Sequence, residues 1–272
     1  ADLAGAARDA ELIVLASPSK FMRRVVTQLA ETDYPRQALY LNVAKGVEVE
    51  SLKRPNQIVR ELLGEVPYAA LSGPSHAEEV SQGVPTAVVA AGTDEATAES
   101  VQRMFMNDTF RVYTSTDITG VELGGALKNV FAVAAGICDG MGFGDNSKAA
   151  LITRGIVEMA RLGHALGGER ETFAGLSGVG DLIVTCISQH SRNRRVGEQL
   201  GRGRTLDEIQ TELGRTVAEG VTTARSVYRL ARDLDVSTPI IDQVYAALYD
   251  GKSPRKAAQE LMTREGKRET LG

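Results

Sequence analysis

Over the first 116 residues, short apolar runs alternate with stretches whose apolar positions recur every three or four residues. Residues 11–17 form a continuous β-rich run closed by Ser17, Pro18 and Ser19, and residues 21–30 carry the helical period. Residues 38–43, 68–72, 85–91 and 109–114 predict four more strands, with helices over 54–63 and 95–106. Strands apolar on both faces, alternating with helices, predict a mostly parallel sheet covered on both sides. From Asp117 the strand signal fades. Residues 121–137, 148–166, 182–188, 192–200, 206–213, 222–234 and 240–248 all carry helical periodicity, separated by glycines and short polar loops. The expected organisation is an α/β domain over 1–116 and an all-helical domain over 117–272. The charged tail from Lys252 reads as a short solvated helix and a frayed end.

Composition leaves that picture in place. Of 272 residues, 43% are hydrophobic and 24% charged, which excludes a disordered chain. Lys and Arg number 31 against 35 Asp and Glu, a net charge of −4. That balance argues against a nucleic-acid groove but leaves room for a local basic pocket. Cys138 and Cys186 are far apart with no Cys-x-x-Cys, so neither a disulfide framework nor a metal site is expected, and a reduced, cytoplasmic chain is. The longest apolar run, 130–138, is short of a membrane span, and no secretory leader pattern opens the chain.

Several segments carry candidate chemistry. Lys45 ends the second strand, where parallel sheets bind ligands, though alone it reads as a surface lysine before a turn glycine. After the third strand, Gly73 permits close approach, Pro74 stiffens the turn, and Ser75 is placed to cap a helix near Ala77. His76 has no second histidine at ligand spacing. Lys128 shares a helix face with Gly124, Gly125, Phe131 and Ala132, so it either snorkels or is held in a cleft. The two glycines suggest that something packs close there. A desolvated lysine has a lowered pKa and serves as a proton donor. Asp181 either caps its helix or, with Thr185 four residues on, orients a lysine. Ser191 as a cap beside Arg192 and Asn193 would make a phosphate site, the alternative being a solvated basic turn. The loop 140–146 is expected to be a flexible wall, and Glu158 to pair at the surface with Arg154 or Arg161.

Five segments, in order and at matching spacing, resemble one family. Gly-Pro-Ser-His-Ala (73–77), Glu-Leu-Gly-Gly-Ala-Leu-Lys-Asn (122–129), Gly-Asp-Asn-Ser-Lys-Ala-Ala-Leu-Ile-Thr-Arg (144–154), Leu-Ser-Gly-Val-Gly-Asp (176–181) and Ser-Arg-Asn (191–193) are similar to bacterial NAD(P)-dependent glycerol-3-phosphate dehydrogenases. The resemblance runs over residues 11–248. It implies an α/β, partial Rossmann-like sheet followed by a helical substrate domain of the 6-phosphogluconate-dehydrogenase-like type. It further implies NAD or NADP as cofactor and interconversion of dihydroxyacetone phosphate and sn-glycerol 3-phosphate, a step of phospholipid synthesis. By resemblance, Lys128 is the proton donor and acceptor, oriented by Asp181 and Thr185, with Asn129 beside it. Lys45, Gly73 and Ser75 line the substrate, and Ser191, Arg192 and Asn193 hold its phosphate and hydroxyl end. Lys45, Ala77, Arg192, Val217 and Glu219 contact the dinucleotide. A homodimer is carried as an expectation.

One departure sets a further expectation. The family's Gly-x-Gly-x-x-Gly turn has no match in the chain, and the run at 11–17 resembles the family's fourth strand. The first nucleotide-binding strands are therefore expected to be absent, and activity of the chain on its own to be in doubt. Two rivals remain at this level: a related β-hydroxyacid or keto-acid dehydrogenase, and a helical binding module without catalysis.

Overall fold

The computed structural model describes residues 2–213 and 218–269. The α/β half runs α1 (Leu3–Ala7), β1 (Leu12–Leu15), α2 (Ser19–Ala30), β2 (Leu39–Asn42), α3 (Pro55–Leu63), β3 (Tyr68–Ser72), α4 (Ala77–Val80), β4 (Thr86–Gly92), α5 (Glu95–Phe105) and β5 (Phe110–Ser115). The sheet order is β1-β2-β3-β4-β5. β1, β2 and β3 are parallel, β4 is antiparallel to β3, and β5 is parallel to β4. The antiparallel step departs from an all-parallel sheet because β3 and β4 are joined through the one-turn α4 rather than a crossover helix.

Successive strand residues point to opposite faces, so each face gathers its own core. Tyr40, Tyr68 and Ala70 meet Met22, Val26 and Leu29 of α2 and Ile58 and Leu63 of α3. Leu39, Leu41, Ala69, Val88 and Val112 meet Val101 of α5 on the other face. The helices start and stop on local chemistry. Pro55 opens α3 and Gly64, at φ 76°, closes it. Asp94 caps α5 by accepting from the Thr97 N–H at 2.7 Å.

The second half is helical: α6 (Ile118–Gly140), α7 (Asp145–Ala165), α8 (Arg170–Phe173), a π turn (Leu176–Gly180), α9 (Asp181–Ile187), α10 (Arg192–Gly201), α11 (Leu206–Leu213), α12 (Glu219–Asp233), α13 (Pro239–Tyr249) and α14 (Pro254–Met262). α6 is its axis. Every residue from 120 to 137 is buried, so the helix is surrounded by protein. By length and composition α6 could cross a membrane, but 94% of its apolar window is buried inside the fold. Asp117 caps it, accepting from the Gly120 N–H at 2.8 Å. The loop 140–146 is shorter than expected, since Gly140 ends α6 and Asp145 starts α7.

Glu158 is not a surface partner of Arg154 or Arg161. It is 3% exposed and accepts from the backbone N–H of Ile240 at 2.8 Å and of Ile241 at 3.3 Å, at the start of α13. Helical spacing gives the face of a residue, not what packs on that face. Burial pushes the Glu158 carboxyl up to about 7, against the pull of those N–H groups. A folded-state pKa above the ordinary 4.5 contributes stability that is complete below that value and is lost as pH rises through about 7. Glu158→Gln is expected to flatten this slope, and Glu158→Ala to cost about 1–3 kcal/mol by orphaning two N–H groups. Urea unfolding of the three proteins from pH 4.5 to 8 reads both effects; parallel slopes for parent and Gln variant would contradict the assignment.

Candidate active site

The site is assembled where α6 meets the carboxyl ends of β2 and β3. Glu122 fixes that meeting. Its buried carboxylate accepts from Arg54 Nη1 at 2.7 Å, from the Asn56 N–H at 3.0 Å and from the Tyr68 hydroxyl. Burial raises its pKa, opposed chiefly by Arg54. One helical turn on, two glycines let the neighbours in. A Cβ on Gly124 would lie 2.5 Å from the Ser177 carbonyl oxygen, and one on Gly125 would lie 2.9 Å from Ser72 Oγ. The close packing expected around this pair is what the fold shows.

Lys128 follows, 7% exposed. Its Nζ donates to Thr185 Oγ1 at 2.9 Å and pairs with Asp181 Oδ1. Asp181 is 1% exposed, and its other oxygen accepts from Lys45 Nζ at 2.6 Å. Asp181 therefore does not cap α9 with its side chain; it holds two ammonium groups. Thr185 donates to the Asp181 carbonyl at 2.6 Å, which leaves its oxygen lone pairs for Lys128. Burial, and then the charge on Lys45, lowers the Lys128 pKa to about 8. Burial works to raise the Asp181 pKa, but Lys45 and Lys128 hold it below the usual carboxylate range.

Each partner is delivered by a constrained turn. The π turn before α9 swings Asp181 inward, and its Gly178 has no room for a side chain against the Phe173 backbone. Lys45 also donates to the Gly73 carbonyl at 3.1 Å, and Gly73 sits at φ 144°, where an added Cβ would lie 2.9 Å from Val88 Cα of β4. Ser75 does not cap α4. Its hydroxyl donates back to the Gly73 carbonyl at 3.0 Å, because the chain turns before the helix begins. α12 braces the Lys45 loop from the other side: Ser226 Oγ donates to the Val47 carbonyl at 3.0 Å and Arg229 to that of Val49 at 2.7 Å.

The far wall is the start of α10. Ser191 is its cap, with Oγ accepting from the Arg194 N–H at 3.2 Å. Arg192 is exposed and Asn193 buried. Asn193 Nδ2 donates to Asn129 Oδ1 at 2.8 Å, and its Oδ1 accepts from the Gly220 N–H at 2.9 Å. Asn129 thus holds Asn193, not Lys128. α10 crosses α6 with backbone against backbone. A Cβ on Gly136 would overlap the Arg194 carbonyl oxygen, and one on Gly197 would overlap that of Val133. Gly140 and Gly201, each one turn further, are equally confined. Sequence reasoning missed this crossing, although glycines four apart on both helices were its signal.

Between the walls lies a cavity of about 150 Å³. Lys45, Lys128, Asn129, Thr185, Ser191, Arg192, Asn193 and Glu219 border it. His76, His190 and Ala218 border it too, and these three were not expected. Asp181 lies beneath it, holding Lys45 and Lys128. Gly73, Ser75 and Ala77 are not among its lining residues, and Ala77 is exposed on α4. Val217 lies outside the described residues. Burial raises the Glu219 pKa, opposed by the Ser19 N–H that donates to it. Among the described residues no group of three His, Cys, Asp or Glu is placed to hold a metal ion.

Two family models match the chain: the NAD-dependent glycerol-3-phosphate dehydrogenase N-terminus over residues 1–98 and the C-terminus over 117–259. The chain belongs to the NAD-dependent glycerol-3-phosphate dehydrogenase family. A glycerol-3-phosphate dehydrogenase [NAD(P)+] of Citrifermentans bemidjiense is 52% identical over 98% of this chain and 80% of its own length. One of Geobacter sulfurreducens is 53% identical over 97% and 79%. The crystal structure of a Coxiella burnetii glycerol-3-phosphate dehydrogenase is 38% identical, covers 93% of this chain and 76% of that one, and superposes with a TM-score of 0.88. The expected lack of the first nucleotide-binding strands is not borne out. The family's N-terminal domain is matched over residues 1–98, and the described sheet closes an apolar core on each face.

Proposed function

We propose that the chain is an NAD(P)-dependent glycerol-3-phosphate dehydrogenase, with Lys128 as general acid and base. The observation that carries the site assignment is a desolvated lysine, held by Asp181 and Thr185, opening into a cavity whose far wall is a helix N-terminus bearing Arg192. The residues fit the nicotinamide end of the cofactor. The cavity lies at the carboxyl ends of parallel strands, and Ser17 Oγ after β1 and Ser72 Oγ on β3 are buried with no partner among the described residues. Lys45, Arg192 and Glu219 would hold that end, with Ala77 at the rim. A reduced nicotinamide held there would supply the hydride that the carbonyl carbon of dihydroxyacetone phosphate takes up.

The protein's own groups do the rest. Lys128 points its proton at the carbonyl oxygen, and its lowered pKa makes it a readier donor than a free lysine. Asp181 and Thr185 fix the ammonium, and Lys45 adds a second positive charge beside the developing alkoxide. Asn193, tied to Asn129, and the N–H groups that open α10 receive the phosphate with Arg192. A phosphate gripped at one end fixes where the carbonyl lies. Gly73 and Ser75 shape the substrate side through the carbonyl that holds Lys45.

In the same reading, residues 1–116 bind dinucleotide and 117–272 bind substrate, and the chain works as a cytoplasmic homodimer. The free cysteines Cys138 and Cys186 support a reducing compartment, and the exposed Ile183 and Ile187, one turn apart on α9, support a subunit contact. An arginine at a helix start suits a carboxylate as well as a phosphate, so the phosphate assignment is read by comparing substrates with and without that group. Arg192→Ala is therefore expected to weaken dihydroxyacetone phosphate by about 1.5–3 kcal/mol, and unphosphorylated dihydroxyacetone far less. Steady-state kinetics on both compounds decide it: equal losses would remove the phosphate from Arg192.

A further inference from the structure

His76, like His190 and Ala218, borders the cavity with no assigned role. It sits in the turn after β3, across from α10, and its ring lies 6.1 Å from that of His190, tilted by 54°. Its Nε2 is shielded from solvent and has no hydrogen-bond partner among the described residues. A shielded nitrogen on a cavity wall is left for what the cavity binds.

The chemistry of the other walls narrows what that is. Lys45, Lys128 and Arg192 make the cavity rich in donors. Most of its acceptors are engaged: Asp181 by two lysines, Asn129 Oδ1 by Asn193, Asn193 Oδ1 by Gly220, Thr185 Oγ1 by Lys128 and the Glu219 carboxylate by the Ser19 N–H, with His190 the other ring on the wall. Ser191 Oγ accepts from Arg194. A substrate hydroxyl has a proton to place, and these groups have no lone pair committed to it. Burial, and then the charge on Lys128, lowers the His76 pKa, so the ring is neutral at neutral pH and one nitrogen carries a lone pair.

We propose that His76 accepts the hydrogen bond of the substrate's terminal hydroxymethyl group, through Nε2 with the proton on Nδ1, and so selects a hydroxymethyl ketone phosphate over a methyl ketone phosphate. This rests on the reading above, in which Lys128 takes the carbonyl oxygen and Arg192 and Asn193 the phosphate. Three functional groups of the substrate then meet three separate walls.

The test compares two substrates in the full chain. Dihydroxyacetone phosphate carries the hydroxymethyl group; hydroxyacetone phosphate has a methyl group in its place. His76→Phe is expected to lower kcat/KM for the first by roughly 3–10-fold and to leave the second nearly unchanged, so that the discrimination collapses. His76→Gln, which keeps an acceptor, is expected to restore part of it. NADH titration and thermal melts confirm that each variant folds and binds cofactor. Equal losses on both substrates in both variants, or unchanged discrimination, would overturn the proposal. So would a variant whose ratio of phosphorylated to unphosphorylated dihydroxyacetone shifts instead, since His76 would then belong to the phosphate. If the unsubstituted chain fails to reduce dihydroxyacetone phosphate, the underlying reading fails first, and that is seen before any variant is made.

Discussion

Lys128→Ala is expected to lower turnover with dihydroxyacetone phosphate by about 10²–10⁴-fold, with NADH affinity near that of the parent. In the proposed mechanism the lysine is the donor at the reacting oxygen, while the groups assigned to the dinucleotide stand on other elements. The fold should tolerate the change, because Asp181 keeps Lys45 as a partner at 2.6 Å. The pH dependence gives a second reading of the same assignment. Lys128 titrates near 8, lowered by burial and by Lys45. Reduction consumes its proton and needs the ammonium, so kcat/KM falls as pH rises through about 8. Oxidation of glycerol 3-phosphate needs the free amine, so its rate rises through the same range. Both limbs should be missing from the Ala variant. Near-parent turnover across pH, or matching profiles in the two directions, would remove Lys128 from proton transfer.

Gly197→Ala should damage both stability and substrate binding. The added methyl would overlap the Val133 carbonyl oxygen, and neither backbone can yield without moving a helix. Overpacking of this kind costs about 1–3 kcal/mol, at times more. If α10 slides to relieve it, Ser191, Arg192 and Asn193 slide with it. KM for dihydroxyacetone phosphate is then expected to rise while NADH binding changes less. Gly266→Ala is the control, since a Cβ there meets nothing within 4 Å. Thermal melts and kinetics of the two variants separate the cases: a Gly197→Ala protein that melts and binds like the control would show that α6 and α10 do not depend on the crossing.

Much of the layout could be read from residue pattern because strands buried on both faces and long amphipathic helices announce themselves over many positions. α8 and the π turn could not, being too short for any period to develop. The site was legible where one residue type can do one thing. Lys128 shares a face with two glycines that suggested close packing, and those glycines lie against Ser72 of β3, Lys45 and the π turn. It was illegible where a side chain has several partners to choose from. Glu158 looks like half of a surface ion pair and instead caps α13 from across the domain. Ser75 looks like a cap and instead folds back on its own turn. Asn129 sits next to the lysine in sequence, yet one position along a helix turns a side chain away, and it serves α10. The absence of a glycine fingerprint suggested a missing opening, but the family's N-terminal model matches residues 1–98.

α6 ties these parts to a common phase. Along one helix it carries the clamp to the α/β half (Glu122), the clearance for the strand ends (Gly124, Gly125), the proposed proton donor (Lys128) and the crossing with α10 (Gly136, Gly140). Inserting one residue between Glu122 and Gly136 would advance everything beyond it by about 1.5 Å and rotate it by roughly 100°. The lysine or the crossing would then face the wrong neighbour, whichever end stayed put. Side chains on α6 can be exchanged one at a time, but its length between these points behaves as a fixed dimension of the protein. Insertions and deletions among working homologues should therefore collect in the loops on either side of it.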